Sequence, residues 1–216
     1  DTTLSFKGVD DPRSPHLVRY PLRGILNLVM VGFAAGKQTL RDLEAFVLDI
    51  TGRTRRQLGL GAKHHPCDTT IYNILKRLDP EALRQVLVEQ INRALTKGLL
   101  KNDLVARGVA AFDGKGGIED WGYAPNSWSR QTVCDWFGTP VWFLYTLRVH
   151  LVSSSARPCL DQEFIDEKSW ETKTFVGLLR RVVATFPNLF QIVTGDAIFP
   201  SKENAQAVIE LDKHYL

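Results

Sequence analysis

Cysteine is scarce in this sequence of 216 residues, and its three copies do not form a disulfide framework. Cys67, Cys134 and Cys159 are odd in number, widely spaced and without any C-x-x-C pair. This usage argues against a secreted fold stapled by disulfides and against a cysteine-based metal finger. We therefore expect a reducing compartment, and the cytoplasm is favoured.

Long apolar runs are also missing. The longest one, residues 24–36, is too short to cross a bilayer and contains Asn27, so we expect a core helix and no membrane partner.

Methionine occurs once, as Met30, and we expect both ends of the chain to be cut from a longer protein. The net charge of +3 is too small to indicate a polyanionic partner, so the distribution of charge must carry that argument.

The amino-terminal half has the apolar spacing of helices. We expect four of them, and Thr39 is a suitable cap for the second. Pro80 stands at the first position of the fourth helix and Gly98 just beyond its end, which is the usual placement of both residues. The predicted helices cover residues 22–35, 39–50, 69–78 and 80–97.

Positive charge is concentrated in residues 51–66, which contain no acidic residue. The segment and the short helix after it predict a surface that contacts DNA phosphates and faces a groove. A solvated basic face is the alternative, and the sequence leaves it open. The candidate DNA-binding residues are Arg53, Arg55, Arg56 and Lys63 in the segment, with Thr70, Asn73, Lys76 and Arg77 in the helix.

The spacing changes from helical to strand-like after the polar connector at residues 101–107. Runs rich in β-branched and aromatic residues then alternate with two amphipathic helices, in the order βββαβαβ. A strand near Tyr215 closes the series. The other elements are predicted at residues 109–113, 141–152, 159–165, 171–186, 189–195 and 202–211.

Two of these predicted strands end on a carboxylate. Asp113 follows an apolar strand and opens a glycine-rich turn, and Asp196 follows the strand at residues 189–195. If the two strands are neighbours, both carboxylates can bind one divalent ion, which prefers oxygen ligands and keeps open positions for phosphate. Each aspartate alone is as consistent with a turn former or a helix cap.

Residues 114–140 form a predicted loop that is rich in aromatic residues. Trp121 and Trp128 are candidates for stacking on unpaired bases, although packing of the loop onto its own domain explains them equally well. Lys115, two residues beyond Asp113, is a candidate phosphate contact or a solvated turn residue.

Several motifs, taken in their order along the chain, resemble the bacterial insertion-sequence and H-repeat transposases of the DDE type. Phe112-Asp113-Gly114-Lys115 resembles the first catalytic motif of that family, and Val193-Thr194-Gly195-Asp196-Ala197 resembles the second. Further matches lie in the segments Asp11-Pro12-Arg13, Arg19-Tyr20-Pro21-Leu22, Arg148-Val149-His150-Leu151-Val152-Ser153 and Glu167-Lys168-Ser169-Trp170-Glu171.

This resemblance implies a fold and a site. The fold class is α/β: an all-helical DNA-binding domain over residues 1–100, then a ribonuclease H-like mixed sheet flanked by helices over residues 101–216. Asp113 and Asp196 are the first two acids of a D-D-E triad that binds two Mg²⁺ ions, with Mn²⁺ as a substitute. The third acid, a glutamate, is expected beyond the carboxy-terminal end of this sequence, so the chain alone is expected to be inactive.

The implied function is that of a DNA transposase, which cleaves and joins DNA strands by two-metal phosphoryl transfer. Its implied partners are the double-stranded DNA of transposon ends and targets, bound by a homodimer in the bacterial nucleoid. Two alternatives stay open: a transposase-derived DNA-binding protein without catalysis, and an interaction module of a larger DNA-processing assembly.

Overall fold

A computed structural model describes residues 6–61, 65–121, 130–133, 140–165, 171–196 and 201–216 of the protein. For residues 17, 117–121, 130–133, 140–143 and 171–172 only the backbone is described. The chain divides into two compact units, Asp1–Gln90 and Ile91–Leu216. The domain boundary expected near residue 100 stays a prediction.

The first unit is helical, as the sequence predicts. Thr39 caps α2 in a capping box: its side chain accepts a hydrogen bond from the Asp42 amide, and the Asp42 side chain accepts one from the Thr39 amide. Gly36, with φ of 78°, follows the end of α1. After a short 3₁₀ turn at Pro15–Leu17, the helices are α1 (Leu22–Ala34), α2 (Leu40–Asp49), α3 (Gly52–Gln57), α4 (Asp68–Leu75) and α5 (Pro80–Thr96), and α5 continues past Gln90 into the second unit.

The core of this unit is formed by the apolar faces of α1, α2 and α4. The helical spacing of these residues brings them onto one side of each helix, where burial removes apolar surface from water. The sequence therefore specifies this packing locally. The fully buried residues of these three helices include Ile25, Leu28, Leu43, Val47, Ile71 and Ile74.

The second unit is a mixed sheet with helices. Six strands are described, and they lie in the order β2-β3-β1-β5-β6, with β4 also paired to β3. β1 is antiparallel to β3 and parallel to β5. The elements are β1 (Val109–Trp121), β2 (Arg130–Val133), β3 (Pro140–Leu151), β4 (Cys159–Ile165), α6 (Glu171–Thr185), β5 (Ile192–Gly195), α7 (Lys202–Glu210) and β6 (His214–Tyr215).

One face of this sheet is buried against α6. Phe112 of β1 packs edge to face on Phe175 of α6, with ring centroids 4.7 Å apart. Val149 of β3 and Val193 of β5 are fully buried, and each lies in register with a buried residue of β1. Because side chains alternate along a strand, the residues between these positions lie on the opposite face.

The first strand is longer than predicted. The expected turn at Gly114 was wrong, because β1 continues to Trp121 and pairs with β3 along its length. A Cβ at Gly116 would lie 2.7 Å from the Cε1 atom of Tyr145, so a larger residue there would require that ring to move. The predicted loop at residues 114–140 therefore contains strand, including β2, and the order is ββββαβαβ.

Smaller differences concern element ends. α3 was not predicted, because its six polar and basic residues have no apolar period. α4 covers Asp68–Leu75, so it begins one residue before the predicted helix at residues 69–78 and ends three residues earlier. β5 is shorter than predicted, since residues 189–191 lie before its first paired residue. No described helix is long and apolar enough to cross a membrane.

Candidate functional site

Asp113 and Asp196 lie at neighbouring positions of the sheet. The parallel register of β1 and β5 pairs Phe112 with Gly195, and the next residue on each chain is one of the two aspartates. Both aspartates are exposed. Because adjacent strands lie about 4.8 Å apart, the two backbones are about one strand spacing apart at this point. The predicted adjacency of the two strands is confirmed.

Gly108 fixes the approach of β1 to β5. Its amide donates to the Oε1 atom of Gln191 at 2.9 Å, and its carbonyl oxygen accepts from the amides of Gln191 and Ile192 at 2.9 and 3.0 Å. A Cβ at Gly108 would lie 2.2 Å from the carbonyl oxygen of Leu189, so no other residue fits without moving the backbone. This contact sets the register that aligns the aspartates.

A buried polar chain holds the other side of the same strand. The amide of Val109 donates to the hydroxyl of Ser153 at 2.9 Å, and this hydroxyl donates to Asn102 Oδ1 at 2.7 Å. The Ser153 side chain is fully buried, so these bonds replace the water that it has lost. The start of β1 is therefore tied to the segment after β3 as well as to β5.

Basic side chains lie on the aspartate face. Arg148 of β3 is the antiparallel partner of Asp113, and Lys115 is two residues beyond Asp113 and exposed. The Nε atom of Arg148 donates to the Thr146 hydroxyl at 3.1 Å, which orients the guanidinium. His150 interacts with the carbonyl oxygen of Arg157 at 3.4 Å, as a structural strand residue would. The sequence alone did not single out Arg148 as a site residue, because only the register places it opposite Asp113.

Two other acidic residues lie away from this face. Glu210 of α7 is 3.9 Å from Arg180 of α6, and Glu203 lines the same groove between the two helices. Since α6 packs on the face of β1 opposite to Asp113, these glutamates are on the wrong side to join it. Within the described residues, no three His, Cys, Asp or Glu side chains are grouped closely enough to bind a metal ion.

The basic residues of α3 have different environments. Arg53 and Arg56 are exposed and suited to contact a polyanion, whereas Arg55 is half-buried. The Nε atom of Arg55 is buried and makes no hydrogen bond within the described part of the chain. Lys63 lies outside the described residues. The structure therefore describes Arg53, Arg55 and Arg56 of the predicted basic surface.

α4 and the turn after it carry the predicted groove-facing residues. Asn73, Lys76 and Arg77 are exposed or partly exposed, and Thr70 has its hydroxyl 3.2 Å from the Cys67 sulfur. The ammonium of Lys76 lies 4.8 Å from the centre of the Tyr72 ring. These side chains are available to a ligand. Trp128 and the side chain of Trp121 lie outside the described residues.

Comparison with known proteins gives one match. Residues 3–90 match the model of the family described as DDE_Tnp_1-associated, which is consistent with a DDE transposase family of insertion-sequence type. The match covers less than half of the chain and ends where the first compact unit ends. It indicates a transposase-related protein. No curated protein and no solved structure matches the chain.

Proposed function

We propose that the protein is a DDE-type transposase, in which the second unit carries the reaction and the first binds DNA. The observation that carries this proposal is the parallel register of β1 and β5, because Asp113 and Asp196 each directly follow the last registered pair, Phe112 and Gly195. The family match in the first unit supports the same class of protein from independent residues.

The order of the sheet supports a ribonuclease H-like arrangement in the second unit. In this proposal β1 is the central strand. On one side lie β3, which is antiparallel to β1, and β4, which is antiparallel to β3; on the other side lie the parallel strands β5 and β6. α6 and α7 are the crossover helices that lead into β5 and β6. Parallel strands need such crossovers. The carboxyl end of β5 lies beside Phe112 in the amino-terminal part of β1, directly before Asp113.

The two carboxylates fit a divalent metal such as Mg²⁺, or Mn²⁺ in its place. Both side chains are exposed and acidic, and oxygen atoms are the ligands that these ions prefer. When bound, the metal pair supplies Lewis-acid stabilisation of the charge that a phosphodiester develops during attack. A further acidic ligand is needed to complete the two-ion site, and the described residues do not supply one.

The remaining residues of this face position the DNA. Arg148 and Lys115 are cations beside Asp113, and a guanidinium binds a phosphate through two parallel hydrogen bonds. The bond from Arg148 to Thr146 limits the rotation of the side chain, so less entropy is lost on binding. We assign them to the phosphate next to the cleaved bond. The exposed Arg53 and Arg56 of α3 then contact phosphates elsewhere on the duplex.

The test separates chemistry from binding. Asp113→Asn and Asp196→Asn, made in a protein that includes the third acid, are expected to abolish magnesium-dependent cleavage of transposon-end DNA and to preserve its binding. Asp212→Asn is the matched control, since Asp212 is exposed in the same unit and its left-handed φ of 55° suits asparagine. Full cleavage by Asp113→Asn would contradict the role of Asp113, and binding without any cleavage by the unsubstituted protein would favour a DNA-binding protein without catalysis.

A further inference from the structure

We propose that a pocket in the first unit binds a phosphate group, supplied by the DNA backbone or by a free phosphate compound. The DNA source rests on the proposed function, whereas the phosphate chemistry does not. The pocket has a volume of about 510 Å³ and is lined by the basic side chains of Arg13, Arg19, His65 and Arg77. Among the described residues no carboxylate lines the pocket.

Arg13 lines the pocket with a side chain that its hydrogen bonds hold in place. Its side chain is only 10% exposed, and its Nε and Nη2 atoms donate to the two carboxylate oxygens of Asp11 at 2.8 and 2.7 Å. Nη2 also donates to the carbonyl oxygen of Tyr20 at 2.7 Å. These bonds hold the guanidinium plane in place and leave Nη1 as its remaining donor. A donor that is already oriented costs little entropy when a ligand binds.

Three residues of the α4 segment form a second wall. Thr70, Asn73 and Arg77 follow each other at intervals of three and four residues, so they lie on one side of the helix and of the turn that continues it. The Asn73 amide and the Arg77 guanidinium are hydrogen-bond donors, and the Thr70 hydroxyl is engaged with the Cys67 sulfur at 3.2 Å. Asp11 offsets the charge of Arg13, so Arg19 and Arg77 supply the further positive charge of the pocket.

The lining suits a phosphate better than a base. Tyr20, the aromatic residue of the wall besides His65, is 7% exposed, and its hydroxyl donates to the carbonyl oxygen of His65 at 2.6 Å. Its ring therefore offers little surface for stacking, which is the main interaction of an unpaired base. A tetrahedral anion, in contrast, accepts from donors in several directions at once, and arginine provides the matching fork.

Cys67 is a natural reporter of occupancy, because it lines the pocket and is exposed. Hydrogen bonds from Thr70 lower the pKa of its thiol, which makes the sulfur more reactive at neutral pH. Burial raises the pKa of the Cys159 thiol, so Cys159 is a slow internal reference. A bound anion blocks the Cys67 sulfur and also disfavours its thiolate, and both effects slow alkylation.

The experiment measures alkylation of the intact chain by iodoacetamide, with each cysteine followed by peptide mass spectrometry. Sodium phosphate, a duplex with 5′-phosphates and the same duplex with 5′-hydroxyls are compared with sodium chloride of equal ionic strength. At a ligand concentration ten times the dissociation constant, the Cys67 rate is expected to fall about tenfold, because about one pocket in ten is then empty. The Cys159 rate is expected to stay constant.

Arg77→Gln is expected to abolish most of this protection, and Arg23→Gln is the matched control, since both arginines are exposed and only Arg77 lines the pocket. If both duplexes slow Cys67 alkylation equally, the ligand is a backbone phosphate. If only the 5′-phosphorylated duplex slows it, the ligand is a terminal phosphate. If only sodium phosphate slows it, the ligand is a free phosphate compound. Duplex that binds without slowing Cys67, together with no effect of sodium phosphate, overturns the proposal. The cleavage that depends on Asp113 is measured in a separate assay, so the phosphate pocket and the proposed function can each fail without the other.

Discussion

The contact of Gly108 with the segment before β5 provides the most direct test of how the site is held. In Gly108→Ala the new methyl group would lie 2.2 Å from the Leu189 carbonyl oxygen and 2.6 Å from the Phe190 Cα. Both atoms belong to the backbone, so no side-chain rotation relieves the overlap and the two chain segments must separate. Overpacking of this kind costs about 1–3 kcal/mol, and each weakened hydrogen bond to Gln191 adds about 1 kcal/mol.

We therefore expect Gly108→Ala to lower the free energy of unfolding by roughly 2–5 kcal/mol in urea titrations followed by circular dichroism. Gly177→Ala is the matched control, because it makes the same substitution in the same unit. Gly177 is an exposed residue of α6 with nothing within 4 Å of the added Cβ, so alanine should stabilise the helix by about 0.5–1 kcal/mol. Similar stability changes in the two variants would refute the close approach at Gly108.

Three further outcomes are expected. Thr39→Ala removes the cap of α2 and should lower the free energy of unfolding by about 1 kcal/mol in the same titrations. The hydrogen bond from Arg13 holds the pKa of Asp11 below its ordinary value of 3.8, so this pair stabilises the fold above that pH. The difference in free energy of unfolding between the unsubstituted protein and Asp11→Asn should therefore disappear as the pH falls through the lowered pKa. A difference that stays constant with pH would contradict this prediction. Neutralising Arg53 and Arg56 together should reduce the salt dependence of DNA binding by about 0.9 slope units for each phosphate that the protein no longer neutralises, whereas an unchanged slope returns both to a solvated face.

Much of the candidate site could be predicted from the order of motifs along the chain. Asp113 and Asp196 stand out because each follows an apolar run typical of a strand, and the structure brings those strands side by side. Arg148 and Gly108 could not be found in the same way. The importance of Arg148 depends on its register with Asp113, and that of Gly108 on the approach of Leu189, which is distant in sequence.

The pocket of the first unit also depends on tertiary structure. Thr70, Asn73 and Arg77 were predicted to face a ligand from their place on one short helix after a basic segment. Arg13 and Arg19 come from a segment far earlier in the chain, and nothing in their spacing indicates that they meet α4. Only the folding of that segment brings the two groups of basic residues around one cavity.

The amino-acid sequence by itself determined the features that depend on neighbours along the chain. The helical spacing of apolar residues determines which side of each helix of the first unit is buried, Thr39 caps the start of α2, and Gly36 follows the end of α1. These features depend only on residues within a few helical turns. Tertiary structure decided that β1 continues past Asp113, since glycines locally favour a turn and become a strand only when β3 supplies partners for their backbone hydrogen bonds. The same long-range pairing, with β5 on the other side, aligned the two aspartates.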